Sequence, residues 1–181
     1  MSNPAESLLL DDHRVLGGLL HDLEVKLLTK DMERAFVLLD TVWARLAVHI
    51  RAENLRLFPK LTSVPASSFT GLGGLPSFAE AQALLSTLRA DHDFFMKELA
   101  QAIATMREIR TKAALNYEDI DGLHDRLHVI KQRLDTHNRM EEEQVYVWPS
   151  LLFDEKTLAE LCEGVRHELE NLPPRLGKSQ E

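Results

Sequence analysis

Cysteine is almost absent from this chain, which has Cys162 alone among its 181 residues. A single cysteine excludes an internal disulfide, and the lack of a Cys-x-x-Cys motif argues against a cysteine zinc site or an iron–sulfur cluster. A chain without disulfides is typical of the reducing cytosol. The first residues also lack the basic segment that begins a signal peptide. We therefore expect a cytoplasmic protein.

Basic clusters and long apolar runs are missing as well. The formal net charge is −8, and lysine and arginine form no stripe. Nucleic acids and anionic membranes attract basic surfaces, so we predict neither as a partner. No apolar run approaches the ~20 residues of a membrane span. Hydrophobic residues make up 44% of the chain, which is enough for one domain with a real core. The composition does not decide whether the protein has a protein partner or forms an oligomer.

Alternating β-branched residues are also absent, and the apolar residues recur three and four positions apart, which predicts an all-α fold. Helices are expected to begin near residues 4, 31, 77, 116 and 154. Four long amphipathic helices with short to moderate connections predict an antiparallel up-down four-helix bundle. The expected organisation is a bundle over residues 1–152, a short extra helix over 153–172 and a flexible tail over 173–181.

One pattern of histidine and glutamate occurs twice. Each half of the chain has an Asp-His pair, then a His-x-Arg-x-Glu segment, then an aromatic residue followed by proline. The histidines and glutamates of the two copies are His13, His49 and Glu53, and then His92, His137 and Glu141. All six lie on the apolar stripes of the predicted helices. The His-x-x-x-Glu spacing alone is a weak signal, and the repetition on apolar stripes strengthens it.

Residues four apart on a helix share one face, so His49 and Glu53 point the same way, as do His137 and Glu141. A buried, unpaired carboxylate costs several kcal/mol unless it is neutralised or binds a metal. Packing alone therefore explains these glutamates poorly, and we predict a metal site.

Imidazole and carboxylate ligands together suit iron, manganese or zinc. Four histidines and two glutamates exceed the needs of one tetrahedral zinc. They suit two ions, each held by two histidines, with both glutamates bridging. An octahedral preference would then leave a coordination position open for a small molecule.

These residues resemble the hemerythrin-like (HHE cation-binding) family, whose members are four-helix bundles with a non-haem di-iron centre. The resemblance covers about residues 8 to 152. It implies that His13 and His49 hold one iron and that His92 and His137 hold the other. Glu53 and Glu141 would bridge the two ions, together with an oxo or hydroxo group.

The chain departs from the oxygen-carrying hemerythrins at two ligand positions. Met96 stands where they place a further histidine, and Glu141 stands four residues after the last histidine where they use an aspartate at five. One ligand fewer implies a more open iron. The resemblance thus favours a protein that binds or reacts with dioxygen, peroxide or nitric oxide. The alternative is an iron- or oxygen-responsive regulatory module, or an iron-centre repair protein, without turnover of its own.

Other candidates receive simpler interpretations. Adjacent helical residues point about 100° apart, so Asp12 and Asp91 are expected on the helix surface rather than beside the ligands. Tyr146 lies five residues beyond Glu141 and is expected to turn off the ligand face. Surface positions are also expected for the remaining histidines, although His21 could flank the site: His21, His124, His128 and His167.

Overall fold

The computed structural model of the chain describes residues 4–111 and 117–174. Within these ranges the chain forms helices and no β-strand, with one isolated bridge between Thr70 and Ser77. The all-α prediction is therefore confirmed. The expected helix start near residue 116, and the predicted tail from residue 175 onward, lie outside the described residues. No helix in the described part of the chain is long and apolar enough to cross a membrane.

Five of the described helices are long. In chain order the helices are α1 (Pro4–Leu28), α2 (Met32–Ala52), α3 (Phe58–Thr62), α4 (Phe78–Thr111), α5 (Tyr117–Glu143), α6 (Trp148–Leu152) and α7 (Glu155–Glu170). A π-helical turn, Glu53–Leu57, joins α2 to α3, and a 3-10 turn, Val145–Val147, joins α5 to α6. Helix α5 thus ends at Glu143, six residues before Pro149.

Local sequence explains where the helices begin and end. Lys30 adopts the left-handed φ of 60° that ends α1, and the next residue, Asp31, caps α2 by accepting a hydrogen bond from the Arg34 N–H. A capping box begins α4. Glu80 accepts from the Ser77 N–H at 2.8 Å, and Ser77 Oγ accepts from the Glu80 N–H at 3.4 Å.

Two apolar clusters form the core, one on each side of the predicted ligands. The large cluster includes Leu16, Leu39, Leu46, Phe95, Leu99, Leu123 and Leu134. The small cluster includes Leu9, Leu57, Phe58, Leu88, Val145, Tyr146, Trp148 and Val165. Helix α1 packs against α2, α5 and α7, and α4 packs against α2 and α5.

Helix α7 is a packed part of this core. Its residues Leu161, Cys162 and Val165 are buried in the small cluster, and it contacts both α1 and α2. Its buried carboxylate, Glu168, accepts hydrogen bonds from Arg51 at 2.6 Å and from Arg56 at 3.0 Å. Both arginines lie within three residues of Glu53, so these ion pairs hold α7 next to the predicted site.

Candidate metal centre

The six predicted ligands lie together in a layer between the two apolar clusters. On α1, His13 lies between Leu9 of the small cluster and Leu16 of the large one. On α4, His92 lies likewise between Leu88 and Phe95. None of the six residues is more than 5% exposed. The 3.6-residue period of each helix therefore places polar groups inside an otherwise apolar core.

The histidines form two pairs, one from each half of the chain. The Nε2 atoms of His13 and His49 lie 3.0 Å apart. The rings of His92 and His137 have their centroids 4.9 Å apart. In both pairs one ring comes from the Asp-His segment and the other from the following His-x-Arg-x-Glu segment. The repeated sequence pattern therefore corresponds to two similar histidine pairs in the structure.

Each glutamate faces at least one histidine of each pair. Glu53 Oε2 lies 3.2 Å from His92 Nε2 and 3.6 Å from His49 Nε2. Glu141 Oε1 lies 3.0 Å from His137 Nε2, and its Oε2 lies 3.5 Å from His13 Nε2. Each carboxylate therefore lies between the two histidine pairs.

Two groups of donor atoms in the described part of the chain could hold a metal ion. One comprises Glu53, His92, His137 and Glu141, and the other comprises His13, His49 and Glu141. The atoms of each group lie within 4.8 Å of one another, and all of the residues are buried. Nitrogen and oxygen donors in these numbers fit iron, manganese or zinc.

Unsatisfied polar atoms at the centre support a metal fit. Glu53 Oε2, Glu141 Oε1 and His92 Nε2 are buried and make no well-aligned hydrogen bond to any described residue, although Glu53 Oε2 lies 3.2 Å from His92 Nε2 and Glu141 Oε1 lies 3.0 Å from His137 Nε2. Buried polar atoms are normally hydrogen-bonded, and leaving one without a partner costs about 1–3 kcal/mol. These same atoms face each other across the centre, where a cation would satisfy all three.

Two aspartates contact the Nδ1 atoms of His49 and His137 and so orient these two rings. His49 Nδ1 lies 3.0 Å from Asp12 Oδ2, and His137 Nδ1 lies 3.2 Å from Asp91 Oδ2. A histidine that donates through Nδ1 has its Nε2 lone pair free for a metal. Each aspartate also binds an arginine, Arg45 for the first and Arg133 for the second.

The surface expectation for these aspartates is wrong, since Asp12 is 3% and Asp91 5% exposed. Each side chain turns about 100° from its neighbouring ligand, but that direction leads into the seam with the adjacent helix and not into solvent. The arginines that meet them stand four residues before His49 and His137, so the repeated Arg-x-x-x-His-x-x-x-Glu was a readable signal.

The charges of the histidines and glutamates at the centre stabilise one another. Burial lowers the pKa of His13, but its contact with Glu141 and the negative charges of Glu141 and Glu53 outweigh burial and raise the pKa to about 9. The pKa of His92 is raised to about 9 for the same reasons. Burial raises the pKa of Glu141, but the surrounding histidines hold it well below its usual range.

Tyr146 lies at the centre, contrary to the expectation that it turns off the ligand face. Its hydroxyl donates to Glu53 Oε1 at 2.7 Å and lies 3.2 Å from His13 Nε2 and 3.3 Å from Glu141 Oε2. Burial and the charges of Glu141 and Glu53 raise the pKa of its phenol well above the usual value. An uninterrupted α5 would have turned this ring away, but the helix ends at Glu143 and the 3-10 turn redirects it.

Phe58 occupies the matching place in the first half of the chain. It follows Glu53 by five residues, as Tyr146 follows Glu141. Its ring stacks on His92 with a centroid distance of 5.7 Å and an interplanar angle of 3°, while the Tyr146 ring lies 5.6 Å from His13. The two aromatic rings therefore cover corresponding histidines, and only one of them carries a hydroxyl.

The other candidate residues lie away from the centre. His21, His128 and His167 are exposed as expected, whereas His124 is half-buried. Met96 packs partly buried against the large cluster.

In comparisons with known proteins, no family model, no curated protein and no solved structure matches this chain. The interpretation of the site therefore rests on its geometry and on the repeated sequence pattern.

Proposed function

We propose that this chain is a hemerythrin-like, non-haem di-iron protein that binds or reacts with a small oxidant: dioxygen, peroxide or nitric oxide. His13 and His49 would hold one iron, and His92 and His137 the other. Glu53 and Glu141 would bridge the two. The observation that carries this proposal is the position of each buried glutamate between a histidine of one pair and a histidine of the other.

An up-down four-helix bundle is the fold we propose for this centre. The order in which the long helices meet the two apolar clusters supports it. Helix α1 leads from the small cluster at Leu9 to the large one at Leu16, and α4 leads the same way from Leu88 to Phe95. Helix α2 leads from the large cluster at Leu46 to the small one at its end, and α5 follows the same course. Alternating directions are those of an antiparallel bundle.

Bound iron would supply the redox electrons and an open coordination position. The residues of the chain control the surroundings of that position. The two apolar clusters exclude water and any bulky substrate from the layer between them, which restricts access to small molecules. Asp12 and Asp91 fix the direction of two imidazoles, and Tyr146 presents a hydroxyl to the Glu53 carboxylate.

Iron loading followed by oxidant titration tests this function. We expect the anaerobically reconstituted protein to hold two iron atoms per chain. We also expect its absorption spectrum to change when the ferrous form meets dioxygen, peroxide or nitric oxide. A chain that binds no iron, or a loaded ferrous form whose spectrum none of the three alters, would contradict the proposal.

A matched pair of variants separates the bridging glutamates from charge in general. Replacing both bridging residues, Glu53→Gln with Glu141→Gln, should abolish the two-iron stoichiometry because the amide binds these metals poorly. Glu143→Gln removes an exposed carboxylate two residues from Glu141 and should leave the iron content unchanged. Equal iron content in both variants would argue against the bridging role.

A regulatory module is the second candidate, and the docking of α7 favours it. Glu168 of α7 binds Arg51 and Arg56, which flank Glu53 on either side. A change at Glu53 on metal binding could therefore alter how firmly α7 is held. Hydrogen exchange in α7, measured with and without iron, tests this: slower exchange in the loaded form supports it, and unchanged exchange counts against it.

A further inference from the structure

The two donor groups of the centre are unequal. The group around His92 and His137 contains four histidine and glutamate residues, whereas the group around His13 and His49 contains three. The hydroxyl of Tyr146 lies within hydrogen-bonding distance of His13 and Glu141 of the smaller group, and it also donates to Glu53 of the larger group at 2.7 Å. The corresponding ring beside the larger group is Phe58, which has no donor atom. The difference between the two groups therefore coincides with the difference between the two aromatic residues.

The distances around the Tyr146 hydroxyl are those between ligands of one ion. Two donors bound at about 2.1 Å and at right angles to each other lie about 3.0 Å apart. The Nε2 atoms of His13 and His49 are separated by 3.0 Å. Tyr146 Oη lies 3.2 Å from His13 Nε2, 3.3 Å from Glu141 Oε2 and 2.7 Å from Glu53 Oε1. The phenol oxygen thus has the spacing of a further corner of the same coordination polyhedron.

We propose that Tyr146 is a ligand of the ion held by His13 and His49, bound through its phenolate oxygen when that ion is ferric. This inference rests on the proposed di-iron function. Tyrosinate is a known ligand of iron in proteins. When the Oη–iron bond forms, the Oη–H bond breaks and the proton leaves to solvent, since metal binding releases protons from its ligands. No electron is transferred in this step.

The unequal ligand sets assign the open position to the other ion. When both glutamates bridge, each ion has two histidines and two carboxylates, and Tyr146 gives the first ion a fifth donor that the second lacks. A small oxidant or a small anion would then bind at the ion held by His92 and His137, where the ring of Phe58 forms an apolar wall. Azide, a small anion that binds ferric iron, is a suitable probe of that position.

The chain contains two tyrosines, so replacing one of them leaves a single possible source of a tyrosinate signal. Phenolate bound to ferric iron gives an intense visible charge-transfer band and enhanced phenolate ring vibrations in resonance Raman spectra. We expect both signals in the diferric wild-type protein and in Tyr117→Phe, whose tyrosine is 59% exposed. Both signals should be absent from Tyr146→Phe, while added azide should still perturb its spectrum.

Isotope labelling decides the outcome even if Tyr146→Phe fails to fold. In Tyr117→Phe labelled with ring-deuterated tyrosine, Tyr146 is the only tyrosine, so the enhanced vibrations must shift. A protein that holds two irons but shows no phenolate vibrations overturns this ligation and leaves the proposed function standing. Persistence of the vibrations in Tyr146→Phe also overturns it. A protein that binds no iron overturns both proposals.

Discussion

The Nδ1 atom of His49 lies 3.0 Å from Oδ2 of Asp12, and the second half of the chain repeats this contact between His137 and Asp91 at 3.2 Å. Both aspartates are buried, and each also binds an arginine from the same helix as its histidine. The repeated unit of this protein is therefore larger than its ligands. It includes the groups that hold the imidazoles in one tautomer and one direction.

Replacing Asp12 by asparagine should weaken metal binding. The carboxylate fixes the direction of the His49 ring, and loss of such a partner typically costs about 10–100-fold in metal affinity. Asp91→Asn should have a similar effect through His137. Competition against a chelator of known affinity measures both variants.

The neighbouring Asp11 offers a control for charge alone. Its side chain is exposed and pairs with the exposed Arg14. Asp11→Asn should leave the metal affinity at its wild-type value. If Asp12→Asn and Asp11→Asn bind metal equally well, the orienting role of Asp12 is wrong.

Metal loading should stabilise the folded chain. A bound metal would satisfy buried atoms of Glu53, Glu141 and His92 that make no well-aligned hydrogen bond to any described residue. A ligand that binds only the native state adds about 2.7 kcal/mol at one hundred times its dissociation constant. We expect a higher melting temperature with iron than without it. Equal melting temperatures of the loaded and metal-free protein would show that the centre is not coupled to folding.

The sequence was sufficient to predict the six ligand candidates that the structure brings together. Helical periodicity places His49 and Glu53 on one face, and the apolar residues around them identify that face as the buried one. The same reasoning holds for His137 and Glu141. Each of these predictions needs only the periodicity within a single helix, so the sequence alone was enough to make it.

The features that the sequence analysis missed depend on neighbouring helices or on backbone breaks. Asp12 is buried because α2 covers it and supplies Arg45, and periodicity within α1 does not contain that information. Tyr146 reaches the centre because α5 ends at Glu143, although the nearest helix-breaking residue is Pro149. The predicted orientation of Tyr146 was therefore wrong because it assumed that the helix continues past Glu143.

Two glycines in α1 should be replaceable with a gain in stability. A Cβ added at Gly17 or Gly18 would meet no atom within 4 Å, and both positions are exposed. Glycine inside a helix costs about 0.5–1 kcal/mol relative to alanine. Gly17→Ala and Gly18→Ala should each raise the free energy of unfolding by about that amount. Denaturant unfolding measures the change, and iron content should stay the same.

A third glycine provides a contrast within α7. A Cβ at Gly164 would lie 3.2 Å from Cδ of Arg56, which is bound to Glu168. Gly164→Ala should therefore gain less than Gly17→Ala, because Arg56 must shift. An equal gain at both positions would mean that the Arg56 contact contributes little to holding α7.

The ion pairs of Glu168 should make stability depend on pH in the acid range. The hydrogen bond from Arg56 lowers the pKa of this carboxyl, burial opposes the shift, and Arg51 lowers the pKa further. Because the folded-state pKa lies below the ordinary value of 4.5, the stabilisation is fully present above that value and is lost as the pH falls through the folded-state pKa. Glu168→Gln should therefore lower the free energy of unfolding by about 1–3 kcal/mol at neutral pH, and by progressively less in acid.

Glu163→Gln is the control, since its partner Arg166 forms an exposed pair with it on the same helix. Denaturant unfolding at neutral and acid pH checks both variants. A difference between Glu168→Gln and the wild type that stays constant with pH would contradict the proposed charge interaction.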